Sequence, residues 1–213
     1  MSGQGFDIIA CGDDALRILC GAGPVRHAIA DMLRALPEWY EVVPGKRDVT
    51  VSFDPHKERM EAAQARLSNT LADITKVGAI TGAGHVLTAE FGGAAGPDLA
   101  ELAGSNRKTP AEIIRMIEAS LLTVDLLGFT PGFAYLIGLD AALRAERLTH
   151  PRMRVPAGSI GLITGQVGLY ALEGPGGWPI VGRVMTPLFD KSRVDPFCLQ
   201  PGDRVTLRGP GAR

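Results

Sequence analysis

The chain has 213 residues, 46% hydrophobic and 21% charged, a balance that buries roughly 70% of the unfolded surface at this length and excludes wholesale disorder. Lys+Arg 22 against Asp+Glu 23 leaves a formal charge of −1, so the molecule as a whole attracts neither phosphate backbones nor anionic lipid. Cys11, Cys20 and Cys198 have no C-x-x-C spacing, which points to a reducing cytoplasm; Ile8-Ile9-Ala10-Cys11 is too short for a signal core, and no stretch approaches the ~20 apolar residues of a membrane span.

Of the 27 glycines, 20 follow Thr81, and the two halves differ in kind. Ala15 to Cys20 reads as a strand, and Pro24 opens a helix whose apolar positions Val25, Ile29, Met32, Leu33 and Leu36 recur at helical spacing. Glu41 to Val43 and Val49 to Phe53 read as a hairpin around Pro44-Gly45. Asp54, with Pro55 behind it, is expected to cap a second helix with Met60, Ala63, Leu67, Leu71 and Ile74 on its buried stripe. The order βαββα predicts a ferredoxin-like α/β sandwich.

Gly78 to Gly84 reads as a junction, which divides the chain into domains 1–80 and 81–213. A strand follows at His85 to Phe91, then one helix started by Pro97-Asp98 and another by Thr109-Pro110-Ala111-Glu112, which has capping-box spacing. Beyond Ser120 the helical period disappears. Apolar runs at 121–127, 160–164, 167–172, 180–184 and 204–207 alternate with glycine-proline turns and predict a compact β-barrel or curled sheet.

Common motifs fail against this layout. Gly158-Ser159-Ile160-Gly161 has Ala157 where a nucleophile elbow needs glycine, and Gly174-Pro175-Gly176-Gly177-Trp178 has no Gly-Lys-Ser/Thr end to cradle phosphate. His27, His56, His85 and His150 have no metal-ligand spacing, so no metal site is read.

What remains lies between residues 128 and 190. Gly128 to Tyr135 (GFTPGFAY) pairs aromatics with turn-forming residues, so a plain strand is not expected there; it either lines a pocket or plugs one end of the barrel. Gly132 is expected at positive φ. Arg152 and Arg154 flank rigid turns, where guanidiniums either fork onto a carboxylate or phosphate or stand as surface charges. Gln166 at a glycine turn and Arg183 in a strand add an amide and a third cation. Trp178 is either an exposed interface anchor or a cap on the barrel core.

The runs GFTPGFAYLIGLD, PRMRVPAGSIGLITGQVGLY, GPGGWPIVGRVMTPLFD and LQPGDRV, in that order and spacing, resemble the family of KipI and the B-type subunit of 5-oxoprolinase, also called allophanate hydrolase subunit 1. The resemblance covers most of Phe91 to Val205, and more weakly the N-terminal half. It implies an α+β protein: a ferredoxin-like α/β sandwich followed by a cyclophilin-like β-barrel. It implies, too, one component of an ATP-dependent 5-oxoprolinase that opens 5-oxo-L-proline to L-glutamate. The implied partners are a C-type protein (allophanate hydrolase subunit 2-like) and an A-type protein (LamB/YcsF-like), and ATP with Mg is used by the assembled complex. Related readings are a carboxyltransferase component of a urea carboxylase/allophanate-type system and a KipI-like inhibitor of a histidine kinase.

By resemblance, Arg154 and Arg183 are assigned to the substrate carboxylate or phosphate and Gln166 to an oxyanion-facing hydrogen bond. Phe129, Phe133, Tyr135 and Trp178 are assigned to an apolar wall, with Arg152 beside them in substrate binding. The chain departs from the family pattern at Phe91 and Ala94, where Tyr and Glu are expected, at Ile117 or a neighbour, where His is expected, and at Val167, where Thr is expected. No residue here is a convincing nucleophile, which points to a site shared with a partner.

Overall fold

The computed structural model describes residues 6–21, 23–72 and 82–211. The chain divides into two compact units, Met1–Ile80 and Thr81–Arg213.

In the first unit, strands β1 (Asp7–Cys11) and β2 (Ala15–Leu19) precede helix α1 (Pro24–Arg34), strands β3 (Glu41–Pro44) and β4 (Asp48–Ser52), and helix α2 (Met60–Ala72). The sheet runs β1-β2-β4-β3 with every neighbouring pair antiparallel. Period-two alternation sends Leu16, Ile18, Val42, Val49 and Val51 into one core, where they meet Ile29, Leu33, Leu67 and Leu71 from the helices. This is the expected ferredoxin-like layering with one strand more than the sequence predicts. β1 fills the edge beside β2, which a strand following the second helix takes in the usual βαββαβ order. The signal for it is Gly12-Asp13-Asp14, a turn between two apolar runs with Gly12 at φ 71.

The second helix also starts later than expected. The Asp54 carboxylate accepts the His56 N–H at 3.0 Å and closes a separate turn, and that bond, with Lys57 beside it, holds the carboxyl below its usual range. α2 begins only at Met60. Ile74 and residues 78–81 of the expected junction lie outside the described residues.

The second unit contains β5 (Gly84–Phe91), α3 (Leu99–Ser105), α4 (Pro110–Ala119), β6 (Leu122–Leu127), β7 (Ala134–Ile137), β8 (Arg152–Val155), β9 (Ser159–Ile163), β10 (Gln166–Leu169), β11 (Gly174–Gly176), β12 (Ile180–Val184) and β13 (Arg204–Arg208). Seven of these strands close a barrel in the order β10-β7-β6-β13-β5-β12-β9, while β11 and β8 form a separate two-stranded ribbon. Strand residues such as Ala89, Leu136, Ile160, Leu162, Val167 and Leu207 fill the barrel core together with Ile113 and Ile117 of α4. Ile117, at or next to which the resemblance suggests histidine, is fully buried there.

α4 opens as the sequence predicts. Thr109 Oγ1 accepts the Glu112 N–H, and Glu112 Oε2 accepts the Thr109 N–H at 2.7 Å. The Thr109 bonds also hold the Glu112 carboxyl below its ordinary value. Asp98 forms no such cap on α3.

One carboxylate ties the first barrel strand to the last. Asp203, 5% exposed, accepts N–H groups from Ala83 and Gln200, each at 2.8 Å, and lies 2.9 Å from His85 Nε2. Replacing it strands buried donors at the seam of β5 and β13. Asp203→Ala is expected to destabilise the barrel unit by about 2–4 kcal/mol in urea unfolding; a loss below about 0.5 kcal/mol would remove Asp203 from this role.

Candidate functional site

The motif segments meet on the outside of the barrel wall. Along β7, β10 and β9, Leu136, Val167, Leu169, Ile160 and Leu162 point into the barrel core. The intervening positions Tyr135, Gly168 and Gly161 are therefore on the other face, where they pair side by side across the three strands. A second, smaller apolar cluster lies here, formed by Phe133, Val155, Tyr170 and Ile180 with Tyr135 packed against it.

The two glycines make the room. A Cβ at Gly168 would lie 2.9 Å from both Phe133 Cζ and Trp178 Cζ3, and one at Gly161 would lie 3.0 Å from Trp178 Cβ and 3.2 Å from Tyr170 Cε2. Aromatic rings thus rest directly on strand backbone. Phe133 is the hub, with ring centroids 4.7 Å from Tyr135, 4.9 Å from Tyr170, 5.5 Å from Phe129 and 6.4 Å from Trp178. Trp178 and Tyr135 are 5.9 Å apart.

Phe129, Phe133, Tyr135 and Trp178 are thus brought together, as an apolar wall requires, but their exposure differs sharply. Trp178 is 4% exposed and Phe133 2%, whereas Phe129 is 62% exposed. Trp178 is therefore part of the scaffold and not an exposed interface anchor. Phe129 sits at φ 73, in the left-handed region that side chains with a Cβ avoid. Gly132 has the expected positive φ, 75°. The turn chemistry of GFTPGFAY ends at Phe133, and the expected bar to a strand does not extend to Ala134 and Tyr135, which begin β7.

Burial raises the phenol pKa of both Tyr135 and Tyr170. It is opposed at Tyr135 by the Arg147 charge and at Tyr170 chiefly by a Trp178 backbone hydrogen bond.

The three arginines behave differently from one another. Arg152 is committed within the chain: its Nη1 and Nη2 reach Asp98 Oδ2 and Oδ1 at 2.8 and 2.6 Å, and Oδ2 also accepts the Ile180 N–H at 2.6 Å. One carboxylate so ties the start of α3 to β8 and β12. Arg154 is exposed and bonds Glu173 through Nε at 2.7 Å, which holds its pKa above the ordinary value. Arg183 lies opposite Glu90 on one side and Ser159 on the other. Its Nε and the Ser159 Oγ are buried, and neither has a hydrogen-bond partner among the described residues. Of the three expected anion-binding arginines, Arg183 alone has no carboxylate partner among the described residues. Gln166, half-buried, begins β10 two residues from Gly168, hence on the same face, with no side-chain hydrogen bond among the described residues.

Two residues here are missed by sequence reasoning. Asp98 reads only as a helix start, and its charge is spent on Arg152 instead. Arg147 lies in an ordinary charged stretch, Ala141 to His150, with no turn motif, yet its guanidinium carbon is 5.7 Å from the Trp178 ring centroid.

The glycine-rich run does not fit triphosphate as a phosphate-cradling loop. The glycine-rich run forms β11 and a turn, with no loop ending in Gly-Lys-Ser/Thr, and Arg152 and Arg154 are already neutralised.

A ferredoxin-like unit followed by a barrel with this motif-lined outer wall belongs to a defined class: the chain is a member of the carboxyltransferase domain, subdomain C and D family, whose model matches residues 8–199. It is 36% identical over 184 residues to the B-type subunit of 5-oxoprolinase from Haemophilus influenzae (84% of this chain, 83% of that protein). It is 34% identical over 178 residues to the B-type subunit of 5-oxoprolinase from Escherichia coli O157:H7 (83% of this chain, 81% of that protein). Among solved structures, TTHA0988 aligns over 93% of this chain at 29% identity with a TM-score of 0.77, this chain spanning 40% of that longer one. Kluyveromyces lactis urea carboxylase aligns over 96% of this chain and 22% of its own, at 18% identity and a TM-score of 0.74, a likeness of fold.

Because Trp178 fills space between two glycine-bearing strands, Trp178→Ala is expected to destabilise the isolated chain by about 3–5 kcal/mol, lowering Tm with or without any partner. An unchanged Tm in differential scanning calorimetry would return Trp178 to the role of an interface anchor.

Proposed function

We propose that this protein is the B-type component of a 5-oxoprolinase, which adds water across the ring C–N bond of 5-oxo-L-proline to give L-glutamate. The observation that carries the reading is its identity of 34–36% to proteins named as that component of 5-oxoprolinase, over more than four-fifths of both chains. Urea carboxylase shares the fold at 18% identity, which lends a urea reading no chemistry.

Lactam opening needs negative charge stabilised on the amide oxygen while water adds to the carbonyl carbon. Arg183 supplies the guanidinium not spent on a carboxylate among the described residues; Gln166, opposite Ile163 while Arg183 is opposite Ser159 farther along β9, offers its amide N–H at a separate place on the barrel's outer face. Arg154 reaches an anion only by giving up Glu173, and Arg152 serves the site by holding β8 and β12 together through Asp98. ATP and its magnesium belong to the assembled complex and are bound by a partner chain, the C-type or the A-type protein. The complex works in the cytoplasm, a reading supported by free thiols at Cys11, Cys20 and Cys198. No helix among the described residues is long and apolar enough to cross a membrane.

The isolated chain is expected to leave 5-oxo-L-proline intact and the mixture with both partner types to release glutamate in the presence of ATP. In that mixture Arg183→Lys, which keeps charge and loses the planar fork, is expected to cost about 10–100-fold in kcat/KM with Tm unmoved. Glutamate release by the chain alone, or by no mixture at all, would contradict the assignment.

A further inference from the structure

Between α3 and the 144–149 loop lies a cavity of about 420 Å³ whose rim carries Arg144, Arg147, Glu101 and Glu146 and whose walls include Leu102 and Pro179. Its size is in the range of small-molecule sites. The segment that bears the two arginines has no regular secondary structure, yet it is held at three points. Asn106 bonds both the N–H and the carbonyl of Arg144, each at 2.8 Å. The Ala145 N–H donates to Thr164 Oγ1 at 3.0 Å, and its carbonyl accepts the Thr164 N–H at 2.9 Å. The Leu148 N–H donates to the Gly177 carbonyl at 2.7 Å. Bonds at three points fix the backbone of this irregular loop, and with it the directions in which its side chains leave the chain.

The charges it presents are unspent. Among the described residues none of the four rim side chains enters an ion pair, with each other or with any other residue. Asp98, which also lines the cavity, is already neutralised by Arg152. Arg147 is steadied from one side by the Trp178 ring. Two free guanidiniums and two free carboxylates around one small, partly apolar cavity match a ligand that carries a carboxylate and, a few ångströms away, an N–H donor.

We infer that this cavity binds a small carboxylic acid bearing an adjacent N–H group, the carboxylate on Arg144 and Arg147 and the N–H on Glu101 or Glu146. The choice of 5-oxo-L-proline and L-glutamate as its ligands rests on the 5-oxoprolinase reading; the chemical class does not. The lactam acid carries both groups before ring opening, and the amino acid carries both afterwards.

The test is an NMR titration of the full-length chain, following the Trp178 indole and the amides of Arg144 to Leu148. 5-Oxo-L-proline or L-glutamate is expected to shift these signals saturably, and which of the two binds tighter identifies the state the cavity holds. Cyclopentanecarboxylate, which has no N–H, and 2-pyrrolidinone, which has no carboxylate, are each expected to bind at least about ten-fold more weakly. The double substitution Arg144→Gln/Arg147→Gln should weaken binding at least about ten-fold with Tm unchanged. Glu101→Gln/Glu146→Gln should narrow the gap between 5-oxo-L-proline and cyclopentanecarboxylate. If neither 5-oxo-L-proline nor L-glutamate binds but N-carbamoylglycine does, the cavity assignment stands and the choice of 5-oxo-L-proline and L-glutamate as its ligands falls, while glutamate release by the assembled complex continues to decide the 5-oxoprolinase reading. If no acid shifts these signals, or the arginine substitutions leave binding undiminished, the cavity assignment falls, whatever the complex does.

Discussion

Strands β9 and β10 carry no side chain at Gly161 and Gly168, and the rings of Phe133, Tyr170 and Trp178 occupy the space so left on the barrel's outer wall. Any Cβ at Gly168 would enter two rings at once. The consequence is a protein unit with an aromatic cluster outside its barrel as well as an aliphatic core inside it. The β8–β11 ribbon contributes Val155 to that outer cluster, and Leu148 is hung on the turn that carries Trp178. The loop bearing Arg144 and Arg147 is fixed by Asn106, Thr164 and the Gly177 carbonyl, and Arg147 meets the Trp178 ring.

Charge is then distributed by what the aromatic wall leaves open. Asp98 gathers Arg152 and the Ile180 amide into one bonded set, which closes one side of the wall and removes two charges from chemistry. Arg154 turns to solvent with Glu173, in an exposed pair that contributes little to stability. Arg183, Arg144 and Arg147 have no carboxylate partner among the described residues.

Most of the fold is legible because its signals are local. The helical stripe of α1, the hairpin of β3 and β4, the capping box of α4 and the short apolar runs of the barrel each follow from residues within a few positions of one another. β1 escapes because a four-residue apolar run becomes a strand only through its partner β2, despite the Gly12-Asp13-Asp14 turn between them. The late start of α2 escapes because Asp54 closes its own turn first. Site residues are legible as a set and not as roles. The aromatics of GFTPGFAY and GPGGWP do converge, yet nothing local says that Trp178 is buried while Phe129 is exposed. Nor does any local signal tell that Arg152 meets Asp98, 54 residues away, or that Arg147 crosses to Trp178.

The central claim is that the motif-lined outer wall, with Phe129 at its edge and Arg147 at its rim, is the face at which the assembled enzyme works. Hydrogen-exchange mass spectrometry of the chain alone and in the assembled complex with 5-oxo-L-proline tests it most directly. Slower exchange on assembly at 128–133 and 144–149 is the result this account predicts. Protection confined to the β1-β2-β4-β3 sheet, or to the β5–β13 side of the barrel, with both loops unchanged, would contradict it.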